Sequence, residues 1–135
     1  MIIFETDNKV NYVDDNNVFV GADTTQHCCE DFRSLVTNSP DLEYDYDNKF
    51  MECSMQTNHK FPTESEPNDE FAEYTFDTTY HQMYDWNDCG SRATFRLVAE
   101  GKEDLFLHFV NAQNGYYTHN IEYKINGELI EEYGV

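Results

Sequence analysis

A chain of 135 residues with 27 Asp and Glu against 8 Lys and Arg carries a formal charge of -19. Such a charge repels nucleic acid and anionic membrane, and leaves basic protein surfaces and metal cations as the partners it can attract. Aromatic residues make up 16% of the sequence, too many for a disordered acidic tail, so the charge is expected on one folded domain spanning 1–135.

The opening reads as short strands, Ile2–Glu5, Val10–Val13 and Val18–Gly21, separated by Asp7-Asn8 and the Asp14–Asn17 cluster. Thr24 or Thr25 then caps an expected short helix that carries Cys28 and Cys29 and runs through Phe32, Leu35 and Val36, whose i, i+3, i+4 spacing gives one buried face. Asn38-Ser39-Pro40 stops it. In Asp41-Leu42-Glu43-Tyr44-Asp45-Tyr46-Asp47 acids alternate with apolar or aromatic residues. An extended strand there would mount Asp41, Glu43, Asp45 and Asp47 as a carboxylate row above Leu42, Tyr44 and Tyr46.

Residues 41–77 hold eleven acids and two lysines, Lys49 and Lys60, and so contribute -9 of the -19. Within them 61–70 has two prolines and no apolar period after Phe61, and is expected to be a mobile loop carrying Glu64, Glu66, Asp69 and Glu70. Tyr74, Phe76, Thr78 and Tyr80 alternate with polar residues as in a half-buried strand, and a second loop is expected near 85–91. Ala93–Ala99 and Leu105–Val110 flank Gly101–Asp104 as a hairpin. Apolar residues on both faces make Leu105–Val110 a central strand. Ile121, Tyr123 and Ile125 precede Asn126-Gly127, a type I′ turn signal, after which Glu128–Tyr133 pairs back. The predicted fold is α+β: a mostly antiparallel β-sheet with one short helix following the first strands.

Val20-Gly21-Ala22-Asp23 followed by His27-Cys28-Cys29-Glu30, with Leu105–Val110 running into Asn111-Ala112-Gln113-Asn114-Gly115-Tyr116-Tyr117-Thr118-His119, resembles a family of small uncharacterised bacterial and phage proteins. Its members carry an early Gly-x-Asp…Cys-Cys-Glu and a late His-Asn-Gly-Tyr-Tyr-Ser-His. This chain has Gln113 where a His is usual and Asn120 where a Gly is usual, and residues 41–77 lie largely outside the likeness. The resemblance implies no reaction.

Two functions are compatible with these residues. In the first, Asp41, Glu43, Asp45 and Asp47, with Tyr44 and Tyr46 and the loop acids Glu64, Glu66, Asp69 and Glu70, bind a basic nucleic-acid-binding protein such as a nuclease or a defence complex. Acids on one strand face recur every 6.7 Å or about that, a scale like that of phosphates along a nucleic-acid strand. Tyr74, Tyr80, Tyr84 and Trp86 would add aromatic anchors. In the second, Cys28, Cys29 and Glu30 face Asn111, Asn114, Tyr117 and His119 across a pocket for a small ligand or metal, with His108 and His119 close across a hairpin. No catalytic residue, resident metal or cofactor is expected. The sequence has no Cys-x-x-Cys pair, the 41–47 acids lack the Gly and terminal Glu of a calcium loop, and surrounding carboxylates disfavour a reactive thiolate. With no leader-like or membrane-spanning run the expected setting is the cytoplasm, where Cys28, Cys29, Cys53 and Cys89 would stay as thiols.

Overall fold

Val10, Tyr12, Val18, Val20 and Ala22 alternate with polar or half-buried neighbours on two successive strands, and all five side chains are buried. That period of two is the mark of strands buried on one face only. A computed structural model describes residues 1–6, 8–23, 31–45, 49–52, 56–57, 72–85, 90–112 and 119–135. Among them lie twelve strands: β1 Ile2–Thr6, β2 Lys9–Val13, β3 Val18–Asp23, β4 Asp31–Thr37, β5 Leu42–Asp45, β6 Lys49–Glu52, β7 Gln56–Thr57, β8 Thr75–Asp85, β9 Ser91–Val98, β10 Leu105–Ala112, β11 Asn120–Ile125 and β12 Glu128–Gly134. The first sheet has the order β1-β2-β3-β11-β12, the second β7-β4-β10-β9-β8, and β5-β6 forms a separate hairpin. Every pairing is antiparallel.

One core lies between the two sheets. Tyr12, Val20, Ile121, Tyr123 and Tyr133 of the first sheet meet Val36, Phe76, Phe95, Leu97, Leu107 and Phe109 of the second. Phe95 sits at its centre, with ring centroids 5.8 Å from Tyr123, 5.9 Å from Tyr133 and 6.1 Å from Phe109. The contacts with Tyr133 and Phe109 are edge-to-face, an arrangement that adds to plain burial.

The expected helix is absent. No residue described is helical, and the segment holding Phe32, Leu35 and Val36 is strand β4, paired with β10 from Ala112↔Asp31 to Phe106↔Thr37. The fold is therefore all-β among the described residues rather than α+β. The physical reason is that β4 is buried on both faces. Val36 enters the core between the sheets while Leu35, also buried, belongs to the opposite face, so apolar residues at 32, 35 and 36 imitate a helical stripe. Val36, Thr37 and Phe32 also favour extended backbone. The start of that helix, Thr24–Glu30, lies outside the described residues, as does the loop expected at 61–70.

Other expectations hold. β10 lies between β4 and β9, and Phe106–Asn111 are all buried. Asn126 and Gly127 have φ of 53° and 80°, both positive as a type I′ turn requires.

The turn between β2 and β3 supplies the main polar tie between the sheets. The buried Asp14 carboxylate accepts the Val18 N–H at 2.9 Å and the Asn16 N–H at 3.0 Å through Oδ1, and the Phe76 N–H of β8 at 2.8 Å through Oδ2. Three backbone dipoles replace the water this carboxylate lost, and one of them comes from the other sheet. Replacing Asp14 by Ala should lower the unfolding free energy by about 3 kcal/mol and Asn by less, because buried N–H groups are left without their acceptor. Urea unfolding measures this; a loss under about 1 kcal/mol for Asp14→Ala would show that the tie is dispensable.

Candidate interaction hairpin and the polar layer beneath it

The second sheet has a buried outer face as well. Leu35 and Thr37 of β4, Arg92 and Thr94 of β9, and Phe106, His108 and Val110 of β10 are all buried, and Leu35, Phe106 and Val110 stand apart from the core between the sheets. Residues 38–42 run to this face and lead into the β5-β6 hairpin.

His108 organises the approach. Its Nδ1 lies 2.9 Å from the Thr94 hydroxyl, and its Nε2 lies 2.9 Å from the Thr37 hydroxyl and 3.1 Å from the Ser39 carbonyl. The Thr37 hydroxyl donates to the Ser39 carbonyl at 2.7 Å and accepts the Ser39 N–H at 3.2 Å. A carbonyl can only accept, so the network assigns the proton to Nε2 and leaves Nδ1 to accept from Thr94. Burial, assisted by the Arg92 charge and opposed by the Ser39 carbonyl, lowers the pKa of His108 to about 3. The imidazole is neutral at physiological pH.

Arg92 provides the second anchor. Its Nη1 donates to the Leu42 carbonyl at 3.3 Å and its guanidinium lies 4.3 Å from the Tyr84 ring centroid. Ser39 also receives the Asp41 N–H on its Oγ at 3.2 Å. The chain thus enters β5 fixed at Ser39 by His108 and at Leu42 by Arg92. Asp41 is exposed and Leu42 buried. β5 then pairs with β6 in the register Leu42↔Glu52, Glu43↔Met51, Tyr44↔Phe50 and Asp45↔Lys49.

For Glu43, Tyr44 and Asp45 the backbone is described but the side chains are not. Tyr46, Asp47, Glu64, Glu66, Asp69, Glu70 and Trp86 lie outside the described residues. Of the remaining aromatics Tyr74 is buried, and Tyr80 and Tyr84 are half-buried against arginines. The Tyr74 hydroxyl donates to the Glu103 carbonyl at 3.0 Å, Tyr84 lies under Arg92, and Tyr80 lies under Arg96 at 4.8 Å. Arg96 faces an irregularity in β8, where Asp77–Tyr80 fall between the pairs Phe76↔Leu97 and His81↔Phe95. It forms an ion pair with Asp77 at 2.8 Å. Hydrogen bonds from the Thr79 hydroxyl and N–H, then Arg96, hold the Asp77 carboxyl below the usual range. Burial pushes the Tyr80 hydroxyl up to about 12.

Of the expected pocket, Cys28, Cys29, Glu30, Asn114 and Tyr117 lie outside the described residues. Asn111 and His119 are brought together, and both are buried. Asn111 Nδ2 donates to the Val135 carbonyl at 3.3 Å, and the His119 backbone pairs with Val135 at 2.6 and 2.9 Å. His119 Nδ1 donates to the Asp23 carbonyl at 2.7 Å while its ring stacks on Phe32 at 4.1 Å. These contacts tie β3, β4, β10 and the residue after β12 into one corner. His108 is not part of it, because it belongs to the outer face of the second sheet and Phe32 to the inner one. Among the described residues no three His, Cys, Asp or Glu cluster in a way that would hold a metal.

Sequence reading overlooked Arg92, Thr94, Thr37 and Ser39. The available signal was the both-faces-apolar pattern of 105–110, which places a polar His108 in a layer that must supply it with hydrogen-bond partners. No protein-family model, no curated protein and no solved structure matches the chain. Among the described residues no helix is long and apolar enough to cross a membrane.

The depressed pKa of His108 makes a signed prediction. In the unfolded chain its imidazole protonates near pH 6.5, in the folded one only near 3. The unfolded state therefore binds the extra proton first, so the stability held by neutral His108 is complete above about pH 6.5 and is lost progressively as pH falls towards 3. The stability gap between wild type and His108→Gln should narrow by roughly 3 kcal/mol between pH 7 and pH 4. Parallel curves in denaturant titrations at the two pH values would contradict the assignment.

Proposed function

We propose that this chain is an acidic interaction protein that presents carboxylates to a basic nucleic-acid-binding protein, as a DNA-mimic-like inhibitor of the anti-restriction or anti-CRISPR type. The observation that carries the reading is the mounting of the acid-rich stretch that begins at Asp41: Leu42–Asp45 is a paired strand, and its entry is fixed by His108 and Arg92. A fixed array loses less freedom on binding than a flexible tail, so its charge is used more efficiently. A net charge of -19 steers a basic partner from a distance and raises the association rate. A phage origin and action in the host cytoplasm belong to this proposal, by analogy of composition with small acidic inhibitor proteins.

The second reading, a small-ligand or metal module beside Cys28, Cys29 and Glu30, is favoured by the meeting of Asn111 and His119 at Val135. It is the weaker of the two, because the polar atoms that bring these residues together are engaged with backbone groups.

Binding to a basic nuclease, followed by calorimetry, should weaken at least about tenfold between 0.05 and 0.3 M salt or thereabouts. The combined change Glu43→Lys, Asp45→Lys and Asp47→Lys should abolish it, while Cys29→Ser leaves it intact. Affinity that ignores both salt and those three carboxylates would refute the proposal.

A further inference from the structure

The outer face of the first sheet carries a single apolar row that crosses all five strands. The registers place Ile2 opposite Val13, Val13 opposite Phe19, Phe19 opposite Lys124 and Lys124 opposite Leu129. Their chain neighbours Ile3, Tyr12, Val18, Val20 and Tyr123 are buried in the core, so the row points away from it. Its two ends are among the most exposed large apolar side chains described, Ile2 at 67% and Leu129 at 48%. In the middle the Phe19 ring folds down over Gly21, where an added Cβ would come within 2.8 Å of Cζ. The Lys124 ammonium lies 5.5 Å from the Phe19 ring centroid, so its stem covers apolar surface and only its tip is charged. Val13, Asn17, Phe19, Lys124 and Gly127 line a shallow cavity of about 210 Å³ on the same row.

This face is also far less acidic than the molecule as a whole: Lys9 and Lys124 stand against Glu122, Asp23 and Glu132, the last placed opposite Glu122 by the register. Lys9 and Lys124 both pair with Glu122, at 3.7 and 3.3 Å, and Asp23 stands opposite Lys9 in the next strand. Two of the chain's eight bases are thus gathered here. On a molecule of charge -19, a basic partner is drawn towards the acidic surfaces, whereas a second copy of the chain is repelled unless it approaches through a face like this one.

We propose that the row is a homodimer interface. Two copies pack face to face about a two-fold axis that runs parallel to the strands above Phe19. Phe19 is the third member of a row of five, so this axis sets Ile2 against Leu129 of the second copy, Val13 against the Lys124 stem, and Phe19 against Phe19. An axis along the row would instead oppose the two Lys124 ammonium groups, and the strand-parallel axis avoids this repulsion. Neighbouring strands lie about 4.8 Å apart, so the row is about 19 Å long. That extent belongs at the lower end of specific interfaces and implies a weak, reversible dimer. Its salt dependence is opposite to that of a basic partner: screening the mutual repulsion of two acidic copies strengthens the dimer, so the two proposals stand or fall separately.

Sedimentation equilibrium of the full chain tests this across concentrations up to about 0.5 mM, in the range expected for a weak interface. A monomer–dimer equilibrium should tighten several-fold as salt rises from 0.05 to 0.5 M or thereabouts. The double change I2E/L129E alters only exposed positions and should leave the melting temperature unchanged while weakening the dimer at least tenfold. I2K/L129E keeps the wild-type net charge and should restore association, because across the proposed axis each introduced lysine meets an introduced glutamate. A monomer at every salt concentration would overturn the proposal. So would a dimer indifferent to I2E/L129E, or an I2K/L129E dimer no tighter than the I2E/L129E one.

Discussion

The buried Asp14 carboxylate is the contact on which the arrangement of the sheets depends. A charge removed from water is tolerable only when dipoles replace the water, and here three backbone N–H groups do so. Two of them close the turn between β2 and β3, and the third belongs to Phe76, near the start of β8. A turn in one sheet is thereby keyed to a strand of the other. From that point β8 runs through its irregularity at Asp77–Tyr80 to His81, whose Nδ1 meets the Tyr133 hydroxyl of β12. The sheets are joined by polar contacts at both places, with the rings of Phe95, Tyr123 and Tyr133 in the core.

A chain with so much negative charge resists compaction, and its apolar surface has to overcome that repulsion. Burying both faces of the second sheet is one response. The inner face packs on the first sheet, and the outer face lies near the segment leading into β5. The outer layer is not purely apolar: His108, Thr94, Thr37 and Arg92 are buried in it. Three of these groups bind backbone carbonyls of that segment, His108 and Thr37 at Ser39 and Arg92 at Leu42. The same contacts that satisfy buried polar atoms therefore hold the acid-rich strand in place, which links the packing of the fold to the proposed use of its charge.

Much of the strand pattern was legible because period-two alternation was strong where one face was buried, as at Val10, Tyr12, Val18 and Val20. Asn126-Gly127 was legible because few residues adopt two successive positive φ angles. β4 was misread because a strand buried on both faces has no alternation, and Phe32, Leu35 and Val36 then fit a helical stripe equally well. The burial of His108 was legible, but the partners in its network were not. Its members are drawn from β4, β9, β10 and the residues after β4, and only the pairing of those strands brings them together. Asn111 and His119 meet at Val135, and their polar atoms turn to Val135 and Asp23, which no local spacing indicates.

The central claim is that the acid-bearing backbone of Leu42–Asp45 is an ordered strand anchored to the second sheet. Amide hydrogen exchange of the free protein tests it most directly. The cross-strand bonded amides of Leu42–Asp45 should exchange slowly, with protection approaching that of β4 and β10. Exchange of those amides at the rate of an unstructured chain, while β4 and β10 stay protected, would contradict the account.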